Sequence, residues 1–204
     1  MTVRFCDELP FGFSWVVEEP ATRTSHALAS DGRVWLVDPV DWEPALERLP
    51  TLGVPAAVVQ LLDRHRRDCA RIAARLGAAH VVVPDALAGS PFTCLPLVRI
   101  RGWRETALWW PETRTLVVAE AIGTNDFFRV GDEGAGVHLL LRLAPPRRLD
   151  GLEPEHLLVG HGEGVHGAAA AVTLRHALAS ARPRLPRALL RAPAFALDAV
   201  RRRR

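Results

Sequence analysis

Short apolar runs separated by turn residues fill the first third of the chain. "GFSWVVEE", "SHALAS" and "RVWLVDP" are rich in β-branched and aromatic residues and are broken at Pro20, Asp31-Gly32 and Pro39, the punctuation of successive strands. Asp31-Gly32 between two such runs predicts a hairpin. "DWEPALERL" predicts a short helix with Asp41 as its N-cap. "PAAVVQLLD" is an unbroken apolar run of strand length, which suits a sheet covered on both faces. The spacing then turns helical in "RDCARIAARLG": Ile72 and Leu76 share a face, Asp68 stands at the N-cap position and Gly77 supplies the stop. "AHVVVP" follows as a further strand.

Beyond residue 90 the β pattern resumes in "FTCLPLVRI", "ETALWWP" and "RTLVVAEA", with "PETR" as the turn between the last two. Alternation along a strand sends Trp109 and Trp110 to opposite faces, which favours packing over a paired aromatic platform. "EHLLVGHGEG" reads as a strand entering a glycine-rich polar loop, and "HGAAAAVTLRHALASA" as a helix. Two β-rich stretches, each followed by strand–polar loop–helix segments, predict an α/β (α+β) fold. Its form is a four-layer αββα sandwich with two sheets face to face, helices outside and polar loops gathered along one edge.

A length of 204 residues accommodates one substantial domain and is short for two. The domain is drawn over residues 1–181, followed by an Arg-rich segment, 182–204, helical in part. No window approaches 18 uninterrupted apolar residues, so no membrane span is expected. "MTVRFCDELP" carries no basic stretch leading into an apolar core, so no secretory signal is expected either. Cys6, Cys69 and Cys94 show no paired spacing and read as reduced thiols of a cytoplasmic protein.

Charge changes the picture at one end only. Residues 1–181 carry 18 Arg against 22 Asp and Glu, whereas 182–204 carry 8 Arg against Asp198 alone. The basic balance therefore belongs to the tail. Clustered arginines suit phosphates or anionic lipid, but no RNA-binding aromatic motif accompanies them, so nucleic acid is not an expected partner. Leu185, Leu189, Leu190 and Phe195 suit docking on the domain or on a second copy, which leaves a homo-oligomer open.

Candidate chemistry concentrates at two junctions. "LLDRHRRDC" places Asp63, His65, Arg67 and Asp68 between a buried strand and a helix, where α/β proteins commonly keep their sites. "GHGEGVHG" adds His161 and His166 after a second strand, with glycines that permit close approach. Glu120 follows a third strand. His26 and His138 stand alone and read as structural.

The succession "SHALASDGRVWLVDP", "VVQLLDRHRRDCARIAARLGA", "ETALWWPETRTLVVAEAIG" and "HLLVGHGEG" resembles the metallo-β-lactamase fold superfamily over roughly residues 12–170. The resemblance implies a metal-dependent hydrolase in which a strand delivers an HxHxDH loop into a helix. On this chain the first loop histidine falls on Asp63 and the second on His65. The loop aspartate falls on Arg67 and the last histidine on Asp68. The histidine expected before "ALWWP" has no counterpart among Arg101, Arg104 and Glu105. The bridging aspartate falls on Glu120, and the Gly-His-Gly histidine is His161.

Arg67 is the decisive replacement. Arginine keeps its charge at any working pH, and at ~4 Å it repels a dication by several kcal/mol even at an effective dielectric near 20. The leading expectation is a remodelled, metal-poor site without ordinary two-zinc hydrolysis. In it Arg67 takes the metal's place and pairs with Asp63, Asp68 or Glu120, leaving a silent protein or one that binds a small molecule in the same cleft. The alternative is a hydrolase of an ester, thioester or phosphoester holding one divalent ion (Zn, Mn or Fe) through Asp63, His65, Glu120 and His161. His166 then stands beside the pocket. A second alternative is an interaction protein acting through its arginine tail. A shared ion requires the His65 and His161 nitrogens within about 5 Å of each other.

Overall fold

The computed structural model describes residues 2–18 and 22–191, and the apolar runs become its strands. β1 (Val3–Leu9), β2 (Gly12–Val17), β3 (Arg23–Ser30) and β4 (Arg33–Val37) form an antiparallel meander, to which β5 (Val54–Gln60) and β6 (Ala79–Val82) add in parallel. The β3–β4 turn is a two-residue hairpin: Ser30 pairs with Arg33, and Asp31 and Gly32 have φ of 50° and 70°, the left-handed pair that suits the strand twist. Parallel strands need crossovers, here through α1 (Glu43–Arg48) and α2 (Cys69–Leu76). Trp42, not Asp41, occupies the N-cap of α1; the Asp41 carboxylate pairs with Arg71. Gly77 closes α2 at φ 63°.

The second sheet opens with β7 (Thr93–Ile100), β8 (Trp103–Trp110) and β9 (Thr115–Val118), all antiparallel. β10 (Ile122–Gly123) and β11 (Gly136–Val137) pair as a short separate ladder. β12 (His156–Val159) joins β9 in parallel and β13 (Val165–His166) closes the edge, giving the order β13-β12-β9-β8-β7. α3 (Ala168–Ser180) follows.

Strand alternation sorts the side chains into three cores. Between the sheets lie Trp35, Val37, Val59, Leu108, Trp110, Val117 and Leu158. Their neighbours Val34, Leu36 and Val58 face the other way and pack on Ala45, Leu46, Ile72 and Ala73 of α1 and α2. Leu116, Val118, Leu157 and Val159 pack on Ala170, Leu174 and Ala177 of α3, and Trp109 lies against this outer layer. The result is the αββα sandwich, with strands covered on both sides where the sequence runs apolar without alternation.

Residues 182–191 lie against the loops beside α3: Arg182 donates to the Leu143 carbonyl, Arg184 to Val130 and Arg191 to Arg129. Beneath them the buried Glu133 carboxylate accepts from Arg142 and from the Ser180 hydroxyl. Phe195, Asp198 and the terminal arginines lie outside the described residues. Among the described residues no helix is long and apolar enough to cross a membrane.

Candidate functional site

Because β4 and β5 are parallel to each other, as are β9 and β12, their carboxyl-terminal loops can converge at one end of the sandwich. β4 delivers Asp38, β5 the 61–68 loop, β9 Glu120 and β12 Gly160-His161. Gly160 is required here, since a Cβ would stand 2.3 Å from the Ala119 carbonyl oxygen. Gly162, at φ 112°, sets the chain against Thr124.

The centre is a line of three side chains. Asp38 Oδ2 meets His65 Nδ1 at 3.2 Å, and His65 Nε2 meets His161 Nε2 at 3.2 Å. Asp38 is buried, and its second oxygen accepts the Leu61 N–H at 3.0 Å. Burial opposes its ionisation, but the hydrogen bond and charge of His65 and the charge of Arg67 outweigh it and hold the carboxyl below its usual range. An ionised Asp38 fixes the His65 proton on Nδ1, so neutral His65 presents a bare Nε2 to His161.

Glu120 lies beside this line. Its Oε2 accepts two N–H groups of Arg64, both at 3.0 Å, and stands 3.9 Å from His65 Nε2. Its Oε1 stands 3.6 Å from His138 Nε2. His138 Nδ1 accepts from the Leu140 N–H at 3.3 Å, so neutral His138 carries its proton on Nε2, toward Glu120. Burial lowers the His138 pKa against the opposing charge of Glu120. For Glu120 itself burial favours the neutral acid, but the charges of His65, Arg64 and His138 prevail and lower its pKa. The Arg64 guanidinium lies 4.3 Å from the Trp103 ring, and Phe128 stacks on His161 at 5.5 Å. Glu105, fully buried, fixes the Glu120 turn by accepting the Glu120 and Ala121 N–H groups at 2.9 Å and the Trp103 Nε1–H at 3.1 Å.

Arg67 is directed to carbonyls, not carboxylates. It donates to Thr24 O at 2.5 Å, Asp38 O at 2.7 Å and Gly160 O at 2.9 Å, joining β3, β4 and the end of β12. Both Asp38 and Arg67 are left-handed, at φ 45° and 42°, a strained state for residues other than glycine that clusters at functional sites.

The geometry therefore brings His65, Glu120 and His161 together, with Arg67 adjoining through Asp38. Asp63 turns to Arg104, 3.6 Å away, and its Oδ1 is buried without a hydrogen-bond partner among the described residues. Asp68 accepts from the Asp41 N–H and from Arg71. His166 is engaged elsewhere, by Asp7 and His156. His26 is buried against Ser14. Asp38, Arg64, Glu105 and His138 were not sequence candidates. Asp38 had a signal, an acid between the end of an apolar strand and a proline; His138 had none, because a two-residue ladder brings it in.

The two facing nitrogens match the ~3.4 Å between ligands of one tetrahedral ion. Among the described residues, however, no group of three or more His, Cys, Asp or Glu side chains stands as a metal-holding set.

No protein-family model and no curated relative matches the sequence. Solved structures do match. A metallo-β-lactamase from Pontibacter korlensis superposes with a TM-score of 0.59 at 12% identity, over 89% of this chain and 99% of that one. The DIM-1 metallo-β-lactamase gives 0.57 at 13%, over 89% and 97%. VMB-1 gives 0.60 at 9%, over 88% and 96%. The chain has the metallo-β-lactamase fold. At these identities the likeness concerns the architecture, and the metallo-β-lactamase fold hosts the Asp38–His65–His161 line on its own residues.

Proposed function

We propose that this is a metallo-β-lactamase-fold protein with a remodelled, metal-poor site that does not carry out two-zinc hydrolysis. The observation that carries the reading is Arg67, planted on the carbonyls of Thr24, Asp38 and Gly160. A fixed cation takes up the space between the two sheets and ties them by charge-assisted hydrogen bonds. Glu120 is neutralised in the same way by Arg64. A two-metal centre does not fit this donor set: Arg67 stands at one expected ligand position, and Asp68, at another, is turned to the Asp41 N–H and to Arg71. What remains is a largely buried polar cluster of His65, His138, His161 and Glu120, closed by Arg64, and a small polar ligand is the occupant such a cluster would suit. The three thiols are unpaired, in keeping with a reducing, cytoplasmic setting.

One observation favours a second reading, a single-metal hydrolase. The His65 and His161 Nε2 atoms face each other at 3.2 Å, with Asp38 behind His65 as the support that metal-bound histidines usually have. Glu120, 3.9 Å from His65 Nε2, would add an oxygen donor. Such an ion would supply a bound water as nucleophile toward an ester, thioester or phosphoester.

Metal analysis decides between them. The purified full chain and its His65→Ala/His161→Ala variant should differ by less than ~0.1 equivalent of bound Zn, Mn or Fe. Loss of a whole equivalent in the variant overturns the metal-poor reading.

A further inference from the structure

His156 and His166 stand directly opposite each other in the β12–β13 ladder. Their Nδ1 atoms are 3.1 Å apart. His166 reaches back through Nε2 to Asp7 Oδ1 at 3.1 Å, and that oxygen also accepts the Gly164 N–H at 3.0 Å. Asp7 is buried and His166 about one-third exposed. Against burial, the His166 hydrogen bond keeps the Asp7 carboxyl below its usual range. An ionised Asp7 places the His166 proton on Nε2, which leaves Nδ1 bare and aimed at His156.

We propose that His156 and His166 form a surface binding site for a divalent, imidazole-preferring transition ion (Ni²⁺, Cu²⁺ or Zn²⁺), with Asp7 orienting His166 from behind. Two nitrogens 3.1 Å apart subtend about 95° at an ion with ~2.1 Å bonds, close to the right angle between neighbouring ligands in square-planar and octahedral centres. The cross-strand register holds both rings in place before the ion arrives, and solvent completes the shell. The carboxylate–histidine arrangement fixes the tautomer that ligation needs. Phe11 packs 5.5 Å from the His156 ring and steadies it. This site stands independently of the reading of the Asp38–His65–His161 line.

The test is calorimetric titration of Ni²⁺ into the native full chain and into His156→Ala, His166→Ala, Asp7→Asn and His161→Ala variants. One equivalent should bind to the native chain and to His161→Ala. It should weaken at least ~10-fold in His156→Ala and His166→Ala, and by ~10-fold in Asp7→Asn. Circular dichroism melts establish folding. Because His156 does not touch Asp7, His156→Ala decides if the other variants do not fold. The proposal is overturned if His156→Ala binds like the native chain. It is also overturned if only His161→Ala abolishes binding, or if the native chain takes up no Ni²⁺ below ~1 mM; the two rings are then a hydrogen-bonded pair only.

Discussion

Replacing Arg67 by alanine removes one guanidinium and its three hydrogen bonds to the carbonyls of Thr24, Asp38 and Gly160, of which Asp38 O keeps the Ser25 hydroxyl and Gly160 O the Thr24 N–H. A buried acceptor stripped of its partner costs about 1–3 kcal/mol, and hydrogen bonds from a charged donor lie at the upper end. The donors that remain on Asp38 O and Gly160 O cover part of what is lost. Relief of its left-handed backbone is small, since alanine is no better suited to φ 42°. The expected loss is about 2–4 kcal/mol, which for a domain of this size lowers Tm by about 5–15 °C. Urea unfolding followed by the fluorescence of the six tryptophans measures it. Arg67→Lys should recover only a minor part, because one ammonium cannot serve three carbonyls in the geometry of a guanidinium fork. If Arg67→Ala costs less than about 0.5 kcal/mol, the guanidinium is not what ties the two sheets, and the occupied-site argument fails with it.

Further outcomes follow from three other groups. Glu105→Gln keeps an acceptor for the Glu120 and Ala121 N–H groups but turns an amide donor toward Trp103 Nε1, so it should cost about 1–3 kcal/mol at acidic pH; a neutral effect would show that the Glu120 turn does not depend on it. Burial pushes the native Glu105 carboxyl up to about 7, so its contribution is intact below the unfolded carboxyl value and is lost as pH rises through 7, by up to about 3 kcal/mol. Glu105→Gln should flatten that limb of the stability–pH curve, and an unchanged limb rejects the assignment. Burial lowers His26 to about 4, so its neutral form stabilises the fold above the unfolded imidazole value and that stability is lost as pH falls toward 4. Denaturation of His26→Asn should show a shallower acid limb than the parent; an equal slope points to other groups. Glu120→Gln removes the charge that opposes burial at His138, so the His138 pKa should fall further in an NMR titration, whereas a rise would show that Glu120 does not govern it.

Much of the scaffold was legible because it follows from local rules. Asp31-Gly32 dictated its hairpin, Gly77 its helix end, and the unbroken apolar run at residues 55–62 its doubly covered strand. The alternation of Trp109 and Trp110 placed one ring between the sheets and the other on the α3 side. The site was legible only in part. His65 and His161 could be paired through the order of the motif-like segments, although 96 residues separate them. The partners of Arg67 could not be read, because backbone carbonyls carry no sequence signature and three separate segments supply them. The same limit hid His138, whose place depends on a loop closing back on Ala121. It also hid Asp7, whose bond to His166 spans 159 residues. Asp41 shows local propensity losing to a tertiary partner: Pro44 and Trp42 set the start of α1, and the carboxylate goes to Arg71.

On the proposed reading Asp38 holds the His65 proton on Nδ1, His65 turns a bare Nε2 to His161, and Arg67 stands where a metal would be served. Two-bond ¹H–¹⁵N spectra of the histidine side chains, with His65 and His161 assigned through His161→Ala, test it directly. Recorded before and after one equivalent of Zn²⁺, they should show His65 protonated on Nδ1, with its Nε2 signal and that of His161 unmoved by the ion. Zinc-dependent shifts at both Nε2 atoms would contradict the account and establish a metal between them.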